Sequence, residues 1–205
     1  MSDEAAATGA VPGPDGLLRC GWGLSADDYR EYHDTEWGRP VHGDDLLFER
    51  VSLEAFQSGL SWITILRRRE GFRAAFAGFR IAEVAGFGPA DTERLLQDAG
   101  IIRNRAKIEA TVANARAALE LDGGLDALIW RYAADPARPA PRTLAEVPAV
   151  TAESTALAKD LKKHGFRFVG PTTAYALMQA CGLVDDHLAD CHVRTSGAAG
   201  RPAGT

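Results

Sequence analysis

The 205-residue chain has few cysteines, no long apolar run and no basic leader. Cys20, Cys181 and Cys191 are too few for a disulfide framework, which favours a reducing compartment where thiols stay free or bind metal. No apolar run reaches the roughly 18 residues that a membrane-spanning helix needs. Residues 1–17 are acidic and rich in glycine, proline and alanine, unlike a signal peptide or an anchor. We therefore expect a cytoplasmic protein with no membrane partner.

Positive charge is also in deficit, since the formal net charge is −5. This charge disfavours a surface that binds nucleic acid everywhere, but local basic clusters decide phosphate affinity. Three such clusters lie at residues 67–69, 103–107 and 159–167. Each fits a phosphate-binding surface or a solvated helix face.

The pattern of apolar residues predicts an all-α class, because no strand-like alternation persists and no repeat is present. The length fits one domain or two tightly packed helical lobes. We expect disorder over 1–17, one ordered domain over 18–192 and a flexible tail over 193–205. The predicted helices cover 25–33, 44–57, 70–79, 89–98, 104–121, 125–132, 151–163 and 175–181, and 134–150 is predicted as loop.

A carboxylate stands in the middle of the central apolar stretch, Leu46 to Glu70. Glu54 lies about 20° from Leu47 on a helix of about 100° per residue, so it continues the apolar face of Leu47 and Val51. Burial of a carboxylate is costly unless a donor or cation meets it. Glu54 is therefore a candidate site for a cationic ligand, or a buried residue that caps a backbone amide.

The residues that follow predict a helix end and a tight turn over 57–61, because they include glycine and two serines. Trp62 then begins another apolar run. An ordinary core tryptophan and a ligand-stacking indole both fit this position.

Two glycines bracket a short hairpin between the last predicted helices, at Gly165 and Gly170. Pro171 and Thr172 then open a helix, whose first backbone N–H groups would face an anion such as phosphate. A turn that only connects two helices is the alternative.

Seven stretches along the chain are informative when they are taken together: CGW at 20–22, YHDTEWG at 32–38, LE at 53–54, GLSWIT at 59–64, QDAGIIR at 97–103, residues 162–170 and QACGLVDDH at 179–187. In this order they resemble the 3-methyladenine DNA glycosylase I (Tag) family, and the likeness covers roughly residues 18–192, the predicted domain. The family belongs to the helix-hairpin-helix DNA glycosylases, so the resemblance implies two packed helical lobes, a base pocket between them and a hairpin that grips DNA.

The resemblance also implies one structural zinc ion that joins the terminal segments. The family's ligands match Cys20, His33, His187 and Cys191, a closed tetrahedral set that leaves no position for activating water. His192 is a competitor for the role of Cys191. The alternative is that these residues bind no metal, and that each is a buried cysteine or a hydrogen-bonded histidine.

The implied activity is hydrolytic excision of 3-methyladenine from alkylated double-stranded DNA, which leaves an abasic site and free base. The lesion base is cationic, so Glu54 would accept hydrogen bonds from its edge while Trp62 stacks on it. The aromatic residues expected to line the pocket are Tyr32, Trp37 and Trp22. Leu60 is the expected wedge in the vacated duplex, with Gln57 as the alternative. The residues expected to hold the DNA backbone are Gly165, Gly170, Thr172, Lys162, Lys163 and Arg167.

Asp185 falls where many helix-hairpin-helix glycosylases place an Asp that stabilises the sugar cation, although the Tag family often has Asn there. We keep a catalytic Asp185 as a hypothesis, with helix capping as its alternative. Pro171 stands where a Schiff-base lysine would be expected, which predicts a monofunctional enzyme. We also expect the protein to be a monomer. Two other classes stay open, a zinc-stabilised DNA-binding module and an enzyme of free nucleosides.

Overall fold

The computed structural model describes residues 9–194, and most of them are helical. The predicted all-α class is confirmed. The α-helices are α1 (Asp27–Thr35), α2 (Asp44–Gln57), α3 (Trp62–Leu66), α4 (Arg69–Ala75), α5 (Ile81–Ala85), α6 (Pro89–Gln97), α7 (Arg105–Leu119), α8 (Gly124–Trp130), α9 (Ala152–Lys163) and α10 (Pro171–Ala180), with 3-10 turns at Gly21–Leu24, Ala77–Phe79 and Leu144–Glu146. Among the described residues, no helix combines the length and apolarity needed to cross a bilayer.

The N-terminal segment differs from the prediction of disorder over 1–17. Strand β1 (Val11–Pro12) pairs antiparallel with strand β2 (Leu18–Arg19). The buried Arg19 guanidinium holds this hairpin, because it binds Asp15 within the segment and Asp34 on α1. Disorder is therefore wrong for residues 9–17, and residues 1–8 lie outside the described part. The predicted tail, 193–205, is described only at 193–194.

The chain divides into two compact units. The described part of the first unit comprises residues 9–40, 134–149 and 179–194. Backbone hydrogen bonds tie its three segments together: Gly38 donates to Gln179 over 3.1 Å, Ala134 to Leu183 over 2.8 Å, and Ala189 to Pro141 over 2.8 Å. Residues 134–149 are loop apart from one 3-10 turn, as predicted.

The second unit, residues 41–133 and 150–178, packs its helices around α2. Its core is aromatic: the Phe56 and Phe72 ring centroids lie 4.6 Å apart, and Phe48, Phe76 and Phe79 are also fully buried. Burial of one such side chain contributes about 1.5–3 kcal/mol. The helix predicted over 70–79 ends at Ala75, and a 3-10 turn follows.

Side-chain caps set the start of two helices in the second unit. The Asn104 side chain accepts a hydrogen bond from the Lys107 backbone N–H at the start of α7. The Thr151 and Ser154 side chains each accept from the other's backbone N–H at the start of α9. Such caps satisfy N–H groups that have no partner inside the helix, so they fix where the helix begins.

Candidate functional site

Glu54 lies on the buried face of α2, as its helical spacing predicts. Its side chain is only 5% exposed, and Leu47 and Val51 on the same face are also buried. Burial raises the pKa of Glu54 to about 8, although the nearby positive charge of Arg50 acts in the opposite direction. A carboxyl group with this pKa is largely protonated at neutral pH. A cation beside it would favour the ionised form.

The turn after α2 places an apolar side chain at the surface. Leu60 donates its backbone N–H to the Gln57 carbonyl over 2.7 Å, and the Gln57 amide donates to the Leu60 carbonyl over 3.3 Å. Gly59 has φ +83°, a conformation that glycine adopts without strain. The turn leaves the Leu60 side chain 39% exposed. Trp62 then begins α3 and is half-buried.

Lys107 is a buried cation that sequence reasoning missed. Its ammonium group donates to the carbonyl oxygens of Phe56, over 2.8 Å, and Ser58, over 2.6 Å, at the end of α2. In the sequence, Lys107 stands within the basic cluster at residues 103–107. The available signal was its spacing, because Lys107, Thr111 and Asn114 share one helix face with the buried Ala118.

The predicted hairpin connects α9 and α10. Gly165 has φ +91° and accommodates the left-handed turn that ends α9. Gly170 has no such φ, and its carbonyl accepts the Ala174 N–H as α10 begins. Asn114 binds both backbone groups of Arg167: its amide donates to the Arg167 carbonyl over 3.1 Å, and its carbonyl accepts the Arg167 N–H over 2.7 Å. The side chains of Lys162, Lys163, Arg167 and Thr172 are exposed.

Three of the predicted pocket aromatics lie together in the first unit. The ring centroids of Trp22 and Trp37 are 5.0 Å apart, and those of Trp22 and Tyr32 are 6.5 Å apart. Glu54 and Trp62 belong to the second unit. That all five residues bind one base stays a prediction.

Four buried side chains in the first unit could hold a metal ion, namely Cys20, His33, His187 and Cys191. Their ligand atoms lie within 4.8 Å of one another. Cys191 Sγ is 3.6 Å from His33 Nε2 and 3.7 Å from His187 Nδ1, and Cys20 Sγ is 3.9 Å from His187 Nδ1. A hydrogen bond from Cys20 holds the pKa of Cys191 well below its usual range, which favours the thiolate that binds metals.

Outer contacts orient these ligands in the way that a metal site requires. His33 Nδ1 contacts the Asp34 carboxylate at 2.8 Å, and His187 Nε2 contacts the Trp37 carbonyl at 3.0 Å. When each of these nitrogens carries the proton, the other ring nitrogen offers a lone pair to the cluster. The Leu188 N–H donates to Cys20 Sγ over 3.3 Å. His192, the competing candidate, contacts Asp34 at 3.1 Å. It is not part of the four-residue cluster, which contains Cys191.

The adjacent residues Asp185 and Asp186 have different surroundings. Asp185 is exposed, accepts the His187 N–H over 3.1 Å and pairs with Arg194 at 3.2 Å. Asp186 is 1% exposed and pairs with Arg138 at 3.1 Å. Asp185 thus accepts a backbone N–H within a loop, because residues 181–191 form no helix, and the structure does not show the helix-capping role. A catalytic role for Asp185 stays a prediction.

The arrangement of helices matches that of solved DNA glycosylases. A crystal structure of 3-methyladenine DNA glycosylase I (TAG) aligns with a TM-score of 0.81 at 45% identity, covering 85% of this chain and 98% of that chain. A single-site variant of a 3-methyladenine DNA glycosylase I, in complex with 3-methyladenine, aligns with a TM-score of 0.79 at 34% identity, covering 85% and 96%. The fold is therefore that of a DNA glycosylase.

Sequence comparison narrows this class to one family. The family model described as methyladenine glycosylase matches residues 22–195. DNA-3-methyladenine glycosylase 1 of Escherichia coli (strain K12) is 48% identical over 179 residues, which cover 85% of this chain and 96% of that protein. The chain belongs to the methyladenine glycosylase family.

Replacing the buried carboxyl group by an amide, Glu54→Gln, should stabilise the protein at alkaline pH. The pKa of Glu54 is raised from 4.5 to about 8, so between these values the unfolded chain releases its proton first and the free energy of unfolding falls as pH rises. At about 1.4 kcal/mol per unit, the loss reaches a few kcal/mol by pH 8. The amide of the variant does not titrate, and denaturant unfolding from pH 5 to pH 9 measures the difference.

The exposed Glu70→Gln is the matched control, since the Glu70 side chain is 81% exposed. Its unfolding free energy should run parallel to that of the wild type over this range. A Glu54→Gln curve that also stays parallel to the wild type would contradict the raised pKa.

Proposed function

We propose that this protein excises 3-methyladenine from alkylated double-stranded DNA by hydrolysing the N-glycosidic bond, and that it leaves an abasic site. The observation that carries the proposal is the buried Glu54 carboxyl group on α2, in a chain of the methyladenine glycosylase family. A protein that only bound phosphate would have no use for a buried carboxylate. Free 3-methyladenine is the proposed product.

Charge is the basis of base selection in this proposal. Desolvation makes an ionised Glu54 costly, and a cationic base beside it offsets that cost through a charge-assisted hydrogen bond. A neutral adenine supplies no positive charge, so it offsets less of the cost. The Trp62 indole would stack on the base by cation–π attraction. Trp22, Tyr32 and Trp37 are the proposed further pocket residues.

The reaction requires little acid catalysis, because a cationic base is already a good leaving group. The bond from the sugar C1′ to the base nitrogen breaks, and its electron pair neutralises the base. Water then adds to the sugar cation at C1′ and releases a proton. Asp185 is the proposed group that stabilises this cation or orients the water. The absence of a lysine at Pro171 supports a monofunctional reaction without strand cleavage.

Two segments of the second unit are proposed to hold the duplex. Flipping the base out costs a few kcal/mol, less for a damaged base. The exposed Leu60, with Gln57 beside it, would fill the vacated space. The connection from Gly165 to Gly170 and Thr172 in the first turn of α10 would bind the DNA backbone through backbone N–H groups. The side chains of Lys162, Lys163 and Arg167 would add positive charge.

One zinc ion is proposed at Cys20, His33, His187 and Cys191. Two thiols, two imidazoles and their outer hydrogen bonds fit zinc, and four protein ligands close its coordination. When bound, the ion would link the segment that carries Cys20 and His33 to the one that carries His187 and Cys191. A monomer in the cytoplasm is the proposed working form.

Methylated duplex DNA incubated with the purified protein should release free 3-methyladenine, detectable by liquid chromatography. Glu54→Gln should slow release at least about tenfold, because the amide lacks the negative charge that strengthens the hydrogen bond to the cationic base, and hydrogen bonds to charged groups are worth about 1.5–3 kcal/mol. Glu70→Gln should release base at the wild-type rate. Duplex binding without release would favour the binding-module alternative. Release from free methylated nucleosides at the same rate would favour the nucleoside enzyme.

If Asp185 is catalytic, Asp185→Asn should lower the single-turnover excision rate more than tenfold and leave the affinity for DNA unchanged. The reason is that the substitution removes the negative charge opposite the sugar cation. Rapid-quench excision from a duplex with one lesion measures this rate. A near-normal rate would remove Asp185 from the mechanism and leave it as the acceptor of the His187 N–H.

Elemental analysis should find one zinc per chain in the purified protein. Cys191→Ser should lose the metal and lower the unfolding temperature, because a structural ion stabilises the folded state that binds it. Cys181→Ser is the control, since Cys181 is buried outside the four-residue cluster and should keep the zinc. Equal metal content in the two variants would refute the assignment.

A further inference from the structure

Helix α7 carries a buried polar face that the proposed chemistry does not use. Lys107, Thr111 and Asn114 are 7%, 2% and 1% exposed. Lys107 and Asn114 are seven residues apart, so they point in nearly the same direction, about 20° apart around the helix. A helix that only packs into a core would present apolar side chains there. The polar side chains must therefore be satisfied by specific partners.

The Lys107 end of this face holds the end of α2. Its ammonium group donates to the Phe56 and Ser58 carbonyl oxygens, where the helix dipole is negative. Burial lowers the pKa of Lys107, and these two acceptors compensate for the lost hydration. The turn that exposes Leu60 begins at the same residues. Lys107 therefore fixes the backbone from which Leu60 projects.

The Asn114 end holds the connection between α9 and α10. Its side-chain amide donates to the Arg167 carbonyl and accepts the Arg167 N–H. The next residue, Phe168, has φ +57° and is 41% exposed, whereas Phe166 and Val169 on either side are buried. This backbone conformation is unfavourable for a non-glycine residue and persists only where contacts impose it. Asn114 supplies such a contact.

We infer that Lys107 and Asn114 are positioning residues for duplex DNA: one rigid helix face fixes the turn at 57–61 relative to the connection at 164–170. The inference rests on the proposed function, which assigns both segments to DNA. Seven residues of helix rise about 10 Å, or about three base-pair steps. Both segments would therefore meet the same short stretch of duplex, and an error in either anchor would misalign them.

The test separates DNA binding from base binding in the full-length protein. Lys107→Met and Asn114→Leu replace the two polar anchors by apolar side chains of similar size. Each should weaken affinity for a duplex with a tetrahydrofuran abasic-site analogue at least tenfold, by fluorescence anisotropy. Affinity for free 3-methyladenine, by calorimetry, should stay within twofold of the wild type, because neither anchor is assigned to the base.

A matched control lies on the same helix. The Arg116 guanidinium also donates to two backbone carbonyls, those of Ala85, over 2.9 Å, and Phe87, over 2.7 Å, in a segment not assigned to DNA. Arg116→Met should leave duplex affinity within twofold of the wild type. All measurements are made well below each variant's unfolding midpoint. If Asn114→Leu does not fold, Asn114→Asp takes its place, because it keeps the acceptor for the Arg167 N–H. Asn114→Asp should weaken duplex affinity by less than the tenfold expected of Asn114→Leu and leave the affinity for free 3-methyladenine within twofold of the wild type.

Equal losses of affinity for both probes would overturn the inference, because they indicate general loosening of the fold. Unchanged duplex affinity in Lys107→Met and Asn114→Leu, or an equal loss in Arg116→Met, would also overturn it. Failure of the proposed function gives a different result, since the wild type would then bind the duplex but not 3-methyladenine and would release no base.

Discussion

The free-energy cost of a buried carboxyl group is the constraint on which the rest of the site depends. Glu54 occupies a position on α2 where Leu47 and Val51 make the face apolar, and burial raises its pKa to about 8. A residue that only packed there would be apolar, since the ionised form is destabilised. A cationic ligand reverses this preference. The folded protein therefore holds a group whose charge state depends on what binds beside it.

The rigid surroundings of α2 make this dependence specific. Phe56 belongs to the aromatic core on one side, and its carbonyl oxygen accepts a hydrogen bond from Lys107 on the other. An ammonium group at a helix C-terminus satisfies carbonyls that the helix leaves without partners. The position of Glu54 is thus set by packing along the helix, and the Lys107 bond fixes the turn that follows the end of the helix. Neither interaction depends on the ligand, so the site is organised before binding.

The sequence predicts features that depend on local spacing or on a resemblance of many motifs. The buried face of α2 follows from residue spacing, and the Cys20, His33, His187 and Cys191 set follows from the resemblance. Features that depend on tertiary partners were missed: Lys107 reads as one of several basic residues until Phe56 and Ser58 are near it. The N-terminal hairpin was missed because residues 9–19 are rich in glycine and proline, which is typical of disorder, whereas an ion pair between Arg19 and Asp34 holds the hairpin.

The two units carry different parts of the proposed chemistry. In the first, the Cys and His ligands have outer hydrogen bonds to Asp34 and Trp37, and Arg19 holds Asp34 in turn, so the cluster is fixed through several layers. If these four side chains hold the proposed ion, the closed ligand set would stabilise the fold and leave no position for activating water. In the second, the proposed role of Glu54 is to recognise the positive charge of the base. Because the charge that Glu54 would select also makes the base a good leaving group, recognition of the lesion would supply much of what catalysis requires.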